Sequence, residues 1–309
     1  MDQKNNSLDS FIARSFSEKF PSAINVDGKE VKPIYHYTSV DVFEKMLHDD
    51  ADFYLSESSL LNDSAEFKAG LKILDEYRGK VGVDVFEKIT PEHVEAWVQN
   101  PAEEPWIMCF SADADLLGQW ISYTDRAKGG VSVGFDISSL QHKIKNGYAK
   151  WICEDKRFGC PMYLVPCFYT KKDDRAISTL LDFMFGEYRH TVIKHYSHDD
   201  LMSRRSVIME IMLIFCSMIK HESIHAEKEW RLVFIPHSEE RVLQYSFLGG
   251  KPRLRSRMFE DNGTLRSEIQ DVVVSPQGTS TRAIGRLMRL WGMRADLPRL
   301  SKSPYNGLG

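Results

Sequence analysis

The chain has 309 residues, of which 42% are hydrophobic and 27% charged, and its net charge is −4. This composition excludes a disordered chain, a collagen and a coiled coil, and no stretch is long and apolar enough to predict a membrane span. The polar start, Met1 to Asn6, lacks the apolar segment of a secretory signal. Five cysteines in so long a chain favour reduced thiols. We therefore expect a cytoplasmic protein without membrane contact.

The predicted elements follow one another irregularly. Residues 1–30 are expected to be a polar lead-in and residues 31–305 one domain, whose first strand lies at Pro33–Tyr37 and whose first helix is capped by Ser39. Further strands are expected at Phe53–Leu55, Trp106–Ser111, Val131–Phe135, Tyr163–Phe168, Trp230–Pro236 and Asp271–Pro276. Further helices are expected from about Ser64, over 178–195, over 207–219 and from Ser280 to Trp291. The mixture predicts an α+β fold, a single elaborated domain with mixed or antiparallel sheets and helical insertions.

Charge is unevenly distributed along the chain. Residues 251–302 contain eleven basic and five acidic residues, so this C-terminal part is basic and the remainder acidic. The last predicted helix places three arginines on the stripe opposite its apolar one, namely Arg282, Arg286 and Arg289. Two interpretations stay open: a solvated surface balanced by neighbouring carboxylates, or a basic face that binds phosphates.

Two patterns could indicate zinc. The segment from His221 to His225 fits H-E-x-x-H, which on a helix brings two histidines to one face. However, no third-ligand motif follows, and the segment runs into the strand predicted at Trp230. The cysteines at positions 153, 160 and 167 are spaced by seven and form no C-x-x-C pair. We predict no metal, and a zinc hydrolase built on His221 and His225 is the alternative.

Polar residues at the ends of predicted elements are more informative. His36, Tyr37 and Thr38 end the first core strand, and Ser111 ends a buried one. The predicted helix after Leu61 begins with three polar side chains, those of Asn62, Asp63 and Glu66. They could contact a substrate, or they could form an ordinary N-terminal cap.

Aromatic and acidic pairs complete this set. Trp120 and Tyr123 lie one helical turn apart, where a core aromatic face is the alternative. Glu227 and Glu229 are spaced to project from one face of a strand, where two like charges are costly unless they are used or neutralised. Partnering by Arg231 or a nearby lysine is the alternative interpretation of that pair.

Taken together and in this order along the chain, these motifs make residues 33–305, roughly, resemble the bacterial family catalogued as domain of unknown function 2971. The matching segments are Tyr35–Ser39, Leu61–Asp63 with Glu66, Cys109–Ser111, Gln119–Trp120 with Tyr123, Gly130–Phe135, Glu227–Leu232 and Ser301–Tyr305. A histidine on the first strand, a central serine or aromatic residue, and E-x-E on a late strand are in turn similar to ADP-ribosyltransferases. The resemblance implies an ADP-ribosyltransferase-like core with NAD as substrate and no metal.

The resemblance also implies residue roles. His36, with Tyr37 and Thr38, would contact the NAD ribose, while Ser111, Trp120 or Tyr123 would line the nicotinamide pocket. Cys109-Phe110-Ser111 departs from the usual S-T-S, which leaves the middle position open. Glu229 would be catalytic, because a carboxylate on the ribose 2′-hydroxyl stabilises the oxocarbenium-like transition state, and Glu227 would orient the acceptor.

The function expected on this basis is an NAD-dependent ADP-ribosyltransferase. The basic C-terminal part favours a nucleic-acid acceptor, RNA or single-stranded DNA, with RNA preferred. Substrate contacts are expected from Asn62, Asp63, Glu66, Arg231, Arg282, Arg286 and Arg289. The resemblance further implies a toxin or phage-defence effector held silent by an antitoxin protein. The alternative is a non-catalytic nucleotide- or partner-binding module on the same scaffold.

Overall fold

A computed structural model describes most of the chain between residues 25 and 303. The described residues are 25–26, 29–30, 33–61, 67–81, 89–99, 104–124, 128–152, 162–188, 201–235, 245–248, 250–256, 258–259, 263–278, 280–294 and 296–303. Several predictions lie outside them, namely those for most of the lead-in over 1–30, for Asn62, Asp63 and Glu66, for Cys153 and Cys160, and for Pro304 and Tyr305.

Fourteen strands lie in the described part of the chain. They are β1 (Asn25–Val26), β2 (Lys29–Glu30), β3 (Ile34–Ser39), β4 (Tyr54–Glu57), β5 (Trp106–Ser111), β6 (Gly130–Phe135), β7 (Met162–Pro166), β8 (Phe168–Tyr169), β9 (Ile219–Lys220), β10 (Glu229–Phe234), β11 (Tyr245–Leu248), β12 (Lys251–Arg255), β13 (Ile269–Val274) and β14 (Pro298–Leu300).

The helices of the described residues are mostly short. The α-helices are α1 (Val40–Met46), α2 (Lys68–Val81), α3 (Pro91–Val98), α4 (Leu117–Tyr123), α5 (Ile137–Ile152), α6 (Asp174–Asp182), α7 (Leu201–Met218) and α8 (Thr281–Leu290). Short 3₁₀ segments lie at Ser58–Leu60, Glu222–Glu227 and Leu265–Glu268, and α6 continues as a π-helix over Phe183–Tyr188. None of these helices combines the length and the apolar composition needed to cross a bilayer.

Ser39 caps α1 as the sequence predicts. Its hydroxyl accepts a hydrogen bond from the Val42 backbone N–H at 3.3 Å, which satisfies one of the free donors at the helix start. Phe43 and Met46 then point into the core. Ser280 caps α8 in the same way, through the Ala283 N–H at 3.1 Å. Local sequence thus sets where both helices begin, and their buried residues pack them against the sheet.

One ten-stranded sheet organises the domain. Its strand order is β11-β12-β4-β5-β3-β6-β13-β14, and β10 joins it by pairing with both β5 and β7. Within this sheet only the β13–β14 pair is parallel. The prediction of one α+β domain with a mixed, largely antiparallel sheet is therefore confirmed.

The sheet splits along one edge of β5. Strand β10 pairs with β5 over its whole length, from Ser111 to Trp106. The opposite edge of β5 is shared, since β4 pairs only with Trp106 and Ile107 and β3 only with Ser111. Strands β3 and β4 therefore diverge, and the edge of β5 between them carries no strand partner among the described residues.

Helices cover both faces of the sheet. One face packs against α2, α3, α6 and α7, through a core that includes Leu74, Val94, Leu180 and Met212. The other face packs against α1, α5 and α8, through residues such as Phe43, Leu140 and Ile284. Helix α4 instead packs on β3, where the rings of Trp120 and Tyr37 meet edge to face in a cluster that includes Tyr35. The split in β5 therefore lies between two hydrophobic cores.

Candidate functional site

A cavity of about 850 Å³ opens at the split in the sheet. Its walls include β3, β4, the middle of β5, α1, α4 and the start of β12. Side chains that matter for its chemistry are His36, Thr38, Cys109, Tyr123, Lys251 and Arg253. Its volume lies within the usual range for small-molecule and cofactor sites.

His36 bridges the gap between the diverging strands. Its Nδ1 lies 3.0 Å from the Cys109 carbonyl oxygen, on the stretch of β5 that has no strand partner. Burial lowers the pKa of His36, although this bond to Cys109 opposes the shift. The ring is therefore neutral at pH 7. Because a carbonyl oxygen only accepts, Nδ1 carries the proton, which leaves Nε2 as an acceptor.

Tyr37 and Thr38 also line the cavity, but both are largely buried. The Tyr37 hydroxyl donates to the Asp113 carbonyl and accepts from the Leu116 N–H, each at 2.8 Å. These bonds tie β3 to the loop before α4. Tyr37 therefore offers a ligand its ring rather than its hydroxyl.

Glu229 lies at the centre of a buried charge cluster. It is 5% exposed, and its carboxylate contacts Lys220 and, at 2.7 Å, the Arg231 Nε. Burial alone would raise the pKa of Glu229, but the two cations outweigh it, and the pKa falls to about 2. The carboxylate is thus ionised at neutral pH and neutralised by its neighbours, which is the partnering that the sequence left open.

Glu227 shares the same lysine. The Lys220 Nζ lies 3.0 Å from the Glu227 carboxylate, which is about one-third exposed. Burial and the charge of Glu229 raise the pKa of Glu227, although Lys220 opposes them. Two carboxylates and two cations therefore form one compensated cluster, with Glu227 as its more exposed acid.

Cys109 and Tyr123 connect this cluster to the cavity, since both line the cavity and both feel the charge of Glu229. Burial and then Glu229 raise the pKa of the Cys109 thiol, so it stays protonated at neutral pH. Tyr123 is 40% exposed. It is therefore the more exposed of the two groups next to the cluster.

His36 and Glu229 lie on opposite faces of the sheet. Ser111 pairs with both Glu229 on β10 and Tyr35 on β3, so these three side chains share a face. His36 follows Tyr35 and points to the other face. The cavity spans the split between the two faces, but Glu229 and Glu227 are not among its described lining residues. Of these two residues, only His36 therefore lies among the described cavity-lining residues.

The structure places Ser111 and Trp120 outside the described cavity lining. The Ser111 hydroxyl donates to the Glu227 carbonyl at 2.7 Å and accepts from the Asp113 N–H. The Trp120 indole is 2% exposed and donates to the Asp115 carboxylate at 2.8 Å. Both side chains hold loops together, which differs from the nicotinamide contact expected of them and leaves Tyr123 as the pocket residue.

Arg231 also differs from its expected role in substrate binding. Its side chain is fully buried, with Nε on Glu229 and Nη1 2.8 Å from the Ser217 carbonyl oxygen. A guanidinium enclosed in this way cannot contact a substrate in this conformation. It instead orients the Glu229 carboxylate.

The basic C-terminal part does not form one face. Arg282, Arg286 and Arg289 are exposed on one side of α8, as predicted, and none is among the described cavity-lining residues. Other basic residues pair with carboxylates, as in the bridges Arg255–Asp52, Arg266–Asp49, Arg294–Asp296 and Arg299–Asp271. Lys251 and Arg253 line the cavity. The carboxylate-paired arginines fit the interpretation as a balanced surface, and phosphate binding by the exposed arginines of α8 stays a prediction.

The H-E-x-x-H segment forms a 3₁₀ turn instead of an α-helix. The His221 Nδ1 accepts from the Ser223 N–H at 3.2 Å, and the His225 Nδ1 lies 2.9 Å from the Glu222 carbonyl oxygen. In a 3₁₀ turn, positions four apart do not stack as they do in an α-helix. Within the described residues, no three His, Cys, Asp or Glu side chains come together as a metal site.

Sequence reasoning missed Lys220, the residue that joins both glutamates. Lys220 follows the long apolar helix α7. It reaches the cluster because β9 pairs with β8, which places Lys220 opposite Tyr169. The Tyr169 hydroxyl in turn accepts the Glu229 N–H at 2.8 Å. A lysine ending an apolar run is the one signal that the sequence offers for this arrangement.

Comparison with known proteins adds one match. Residues 119–232, a little over a third of the chain, match the model of a family described as "Protein of unknown function (DUF2971)". The match includes Trp120, Tyr123 and the two glutamates, whereas His36 and Ser111 lie before it. No curated protein and no solved structure matches the chain.

Proposed function

We propose that the protein is an NAD-dependent ADP-ribosyltransferase whose nucleotide site is the cavity at the split in the sheet. The observation that carries the proposal is this opening, which has His36 on one wall and Tyr123 beside the Glu229 cluster on the other. The resemblance to ADP-ribosyltransferases supplies the identity of the nucleotide and an ADP-ribosyltransferase-like core.

His36 suits a ribose contact. The neutral ring presents Nε2 as an acceptor, and a ribose hydroxyl is a donor of matching chemistry. The half-exposed ring of Tyr123 offers a flat apolar surface for the nicotinamide. These two side chains would hold the two ends of the bond that breaks.

The acidic cluster supplies the carboxylate that the reaction needs. Cleavage of the ribose–nicotinamide bond builds positive charge on the sugar, and a carboxylate bonded to the 2′-hydroxyl becomes more strongly attracted as that charge develops. Glu229 is ionised at neutral pH and held by Lys220 and Arg231. Rotation of Tyr123 would open the path from Glu229, or from the more exposed Glu227, to the cavity.

A second candidate is a nucleotide-binding module without turnover. The specific observation in its favour is that Glu229 is neutralised by two cations and is not among the described cavity-lining residues. In that case the cluster stabilises the fold beneath the cavity, and the cavity binds a nucleotide without cleaving it.

The proposed acceptor is RNA or single-stranded DNA. The exposed arginine stripe on α8 would bind its phosphates, because a row of unburied guanidinium groups gains affinity by releasing counterions from nucleic acid. A toxin or phage-defence role with an antitoxin protein follows from the resemblance alone and belongs to the same proposal.

The test is incubation of the purified protein with NAD labelled in its adenylate part, together with total RNA, DNA or lysate protein, followed by separation. The transferase predicts label on RNA with wild type and none with Glu229→Gln, provided that circular dichroism shows a folded variant. Saturable NAD binding without transfer to any acceptor would favour the binding module. Equal labelling by Glu229→Gln would refute the role of Glu229.

A further inference from the structure

Three cationic side chains line the cavity, and sequence analysis assigned none of them to it. Lys251 and Arg253 come from β12, and Lys45 comes from α1. Lys251 and Arg253 are two residues apart on a strand, so both project to the same face. Arg253 pairs with Ser56 of β4, which also lines the cavity.

These cations lack the ion pairs that occupy other basic residues of the domain. Lys220, Arg231, Arg266 and Arg299 each contact a carboxylate. Among the residues that the structure describes, no carboxylate lies within ion-pair distance of Lys45, Lys251 or Arg253. The contact found for the Arg253 guanidinium is a long one, 3.4 Å to the Pro252 carbonyl oxygen.

The acids nearby do not cancel this charge. Asp52 lines the cavity, but its carboxylate pairs with a different cation, the Arg255 Nε at 3.7 Å. Asp50 also lines the cavity, and Glu57 acts on Arg253 by its charge without an ion pair among the described residues. Partial burial lowers the pKa of Arg253, but the group remains protonated at neutral pH.

A half-buried guanidinium that shares a cavity with two exposed lysines matches an anion of two or more charges. Guanidinium groups bind phosphates through two parallel hydrogen bonds, and lysines add charge with less geometric demand. We propose that Lys45, Lys251 and Arg253 form a diphosphate-binding subsite, which takes the diphosphate of a dinucleotide whose ribose lies at His36. This inference rests on the proposed nucleotide site, not on its catalysis.

The experiment compares two ligands by calorimetry. ADP-ribose carries the diphosphate, and adenosine does not. For Arg253→Gln we expect affinity for ADP-ribose to fall roughly ten- to a hundredfold, as for the loss of a charged hydrogen bond, with no change for adenosine. Lys251→Gln should lower it less, because Lys251 is exposed. The matched control Arg175→Gln, an exposed arginine on α6, should bind ADP-ribose as wild type does.

The outcomes separate this inference from the transferase. Unchanged ADP-ribose affinity in both cavity variants would overturn the subsite, as would an equal loss for adenosine or no binding by wild type. Weaker binding of a short single-stranded RNA, with ADP-ribose unaffected, would also overturn it, since the phosphates would then belong to nucleic acid. Arg253-dependent binding of ADP-ribose without any release of nicotinamide from NAD would support the subsite and refute the transferase.

Discussion

Replacing Glu229 with glutamine removes the negative charge at the centre of the buried cluster. Arg231 is fully buried and Lys220 is 6% exposed, so neither can turn to water when its partner is neutralised. A fall in the pKa of Glu229 from 4.5 to about 2 corresponds to about 3 kcal/mol of folding stability, at about 1.4 kcal/mol per unit. Removing one partner of a buried ion pair costs about 3–5 kcal/mol, in agreement.

The pH dependence has a definite sign. The pKa of Glu229 is lower in the folded chain than its ordinary value of 4.5, so its contribution is present in full above pH 4.5. That contribution is lost as the pH falls toward 2. The stability difference between wild type and Glu229→Gln should therefore be constant from pH 6 to pH 8 and should shrink below about pH 4.5.

Urea unfolding followed by tryptophan fluorescence measures these differences. Glu229→Gln should lower the unfolding free energy by about 3 kcal/mol, while the exposed control Glu44→Gln should change it by less than about 0.5 kcal/mol. The double variant Lys220→Met/Glu229→Gln should lose less unfolding free energy than the sum of the two single losses. The reason is that it leaves one cation fewer unpaired than Glu229→Gln alone. Additivity of Lys220→Met and Glu229→Gln, or a loss below about 1 kcal/mol for Glu229→Gln, would refute this account of the cluster.

Three further predictions concern other parts of the domain. Burial raises the pKa of Glu210 to about 7, so wild type should lose stability from pH 4.5 to pH 7, and Glu210→Gln should flatten that profile by up to about 3 kcal/mol in urea unfolding. Gly130→Ala would place a Cβ 2.4 Å from the Thr38 carbonyl oxygen, and we expect weaker nucleotide binding and a lower Tm, whereas Gly118→Ala has open space and should keep or raise the Tm. Glutamine at all three positions of the α8 stripe, Arg282, Arg286 and Arg289, should reduce the slope of log affinity for single-stranded RNA against log salt concentration by about 2. An unchanged slope would exclude this stripe as the RNA-binding surface.

Local patterns predicted the elements that frame the site. The apolar run Trp106–Ser111 forms a strand with the predicted bounds, and the capping signal at Ser39 starts α1 where expected. Each of these features depends on neighbours in sequence, which a single chain displays.

The E-x-E spacing predicts that Glu227 and Glu229 project from one face of a strand, and this prediction is wrong. Glu227 ends a 3₁₀ segment, Lys228 has a positive φ of 47°, and β10 begins only at Glu229. Within β10 it is Glu229 and Arg231 that share a face.

Long-range pairing could not be predicted in this way. The segment Lys251–Arg255 contains a proline, which argues against an inner strand. Pro252 is tolerated because β4 pairs only with Arg253 to Arg255, so Pro252 faces a partner strand on one side alone. The split in β5, the arrival of Lys220 at Glu229 and the opposite faces of His36 and Glu229 all depend on register between distant strands.

Release of nicotinamide from NAD, followed by proton NMR in the presence of RNA, tests the central claim most directly. The account predicts release by wild type, and none above background by a folded Glu229→Gln variant that still binds ADP-ribose. Release at equal rates by the two proteins would contradict the assignment of Glu229. No release by wild type, with RNA, DNA or protein as acceptor, would contradict the transferase itself.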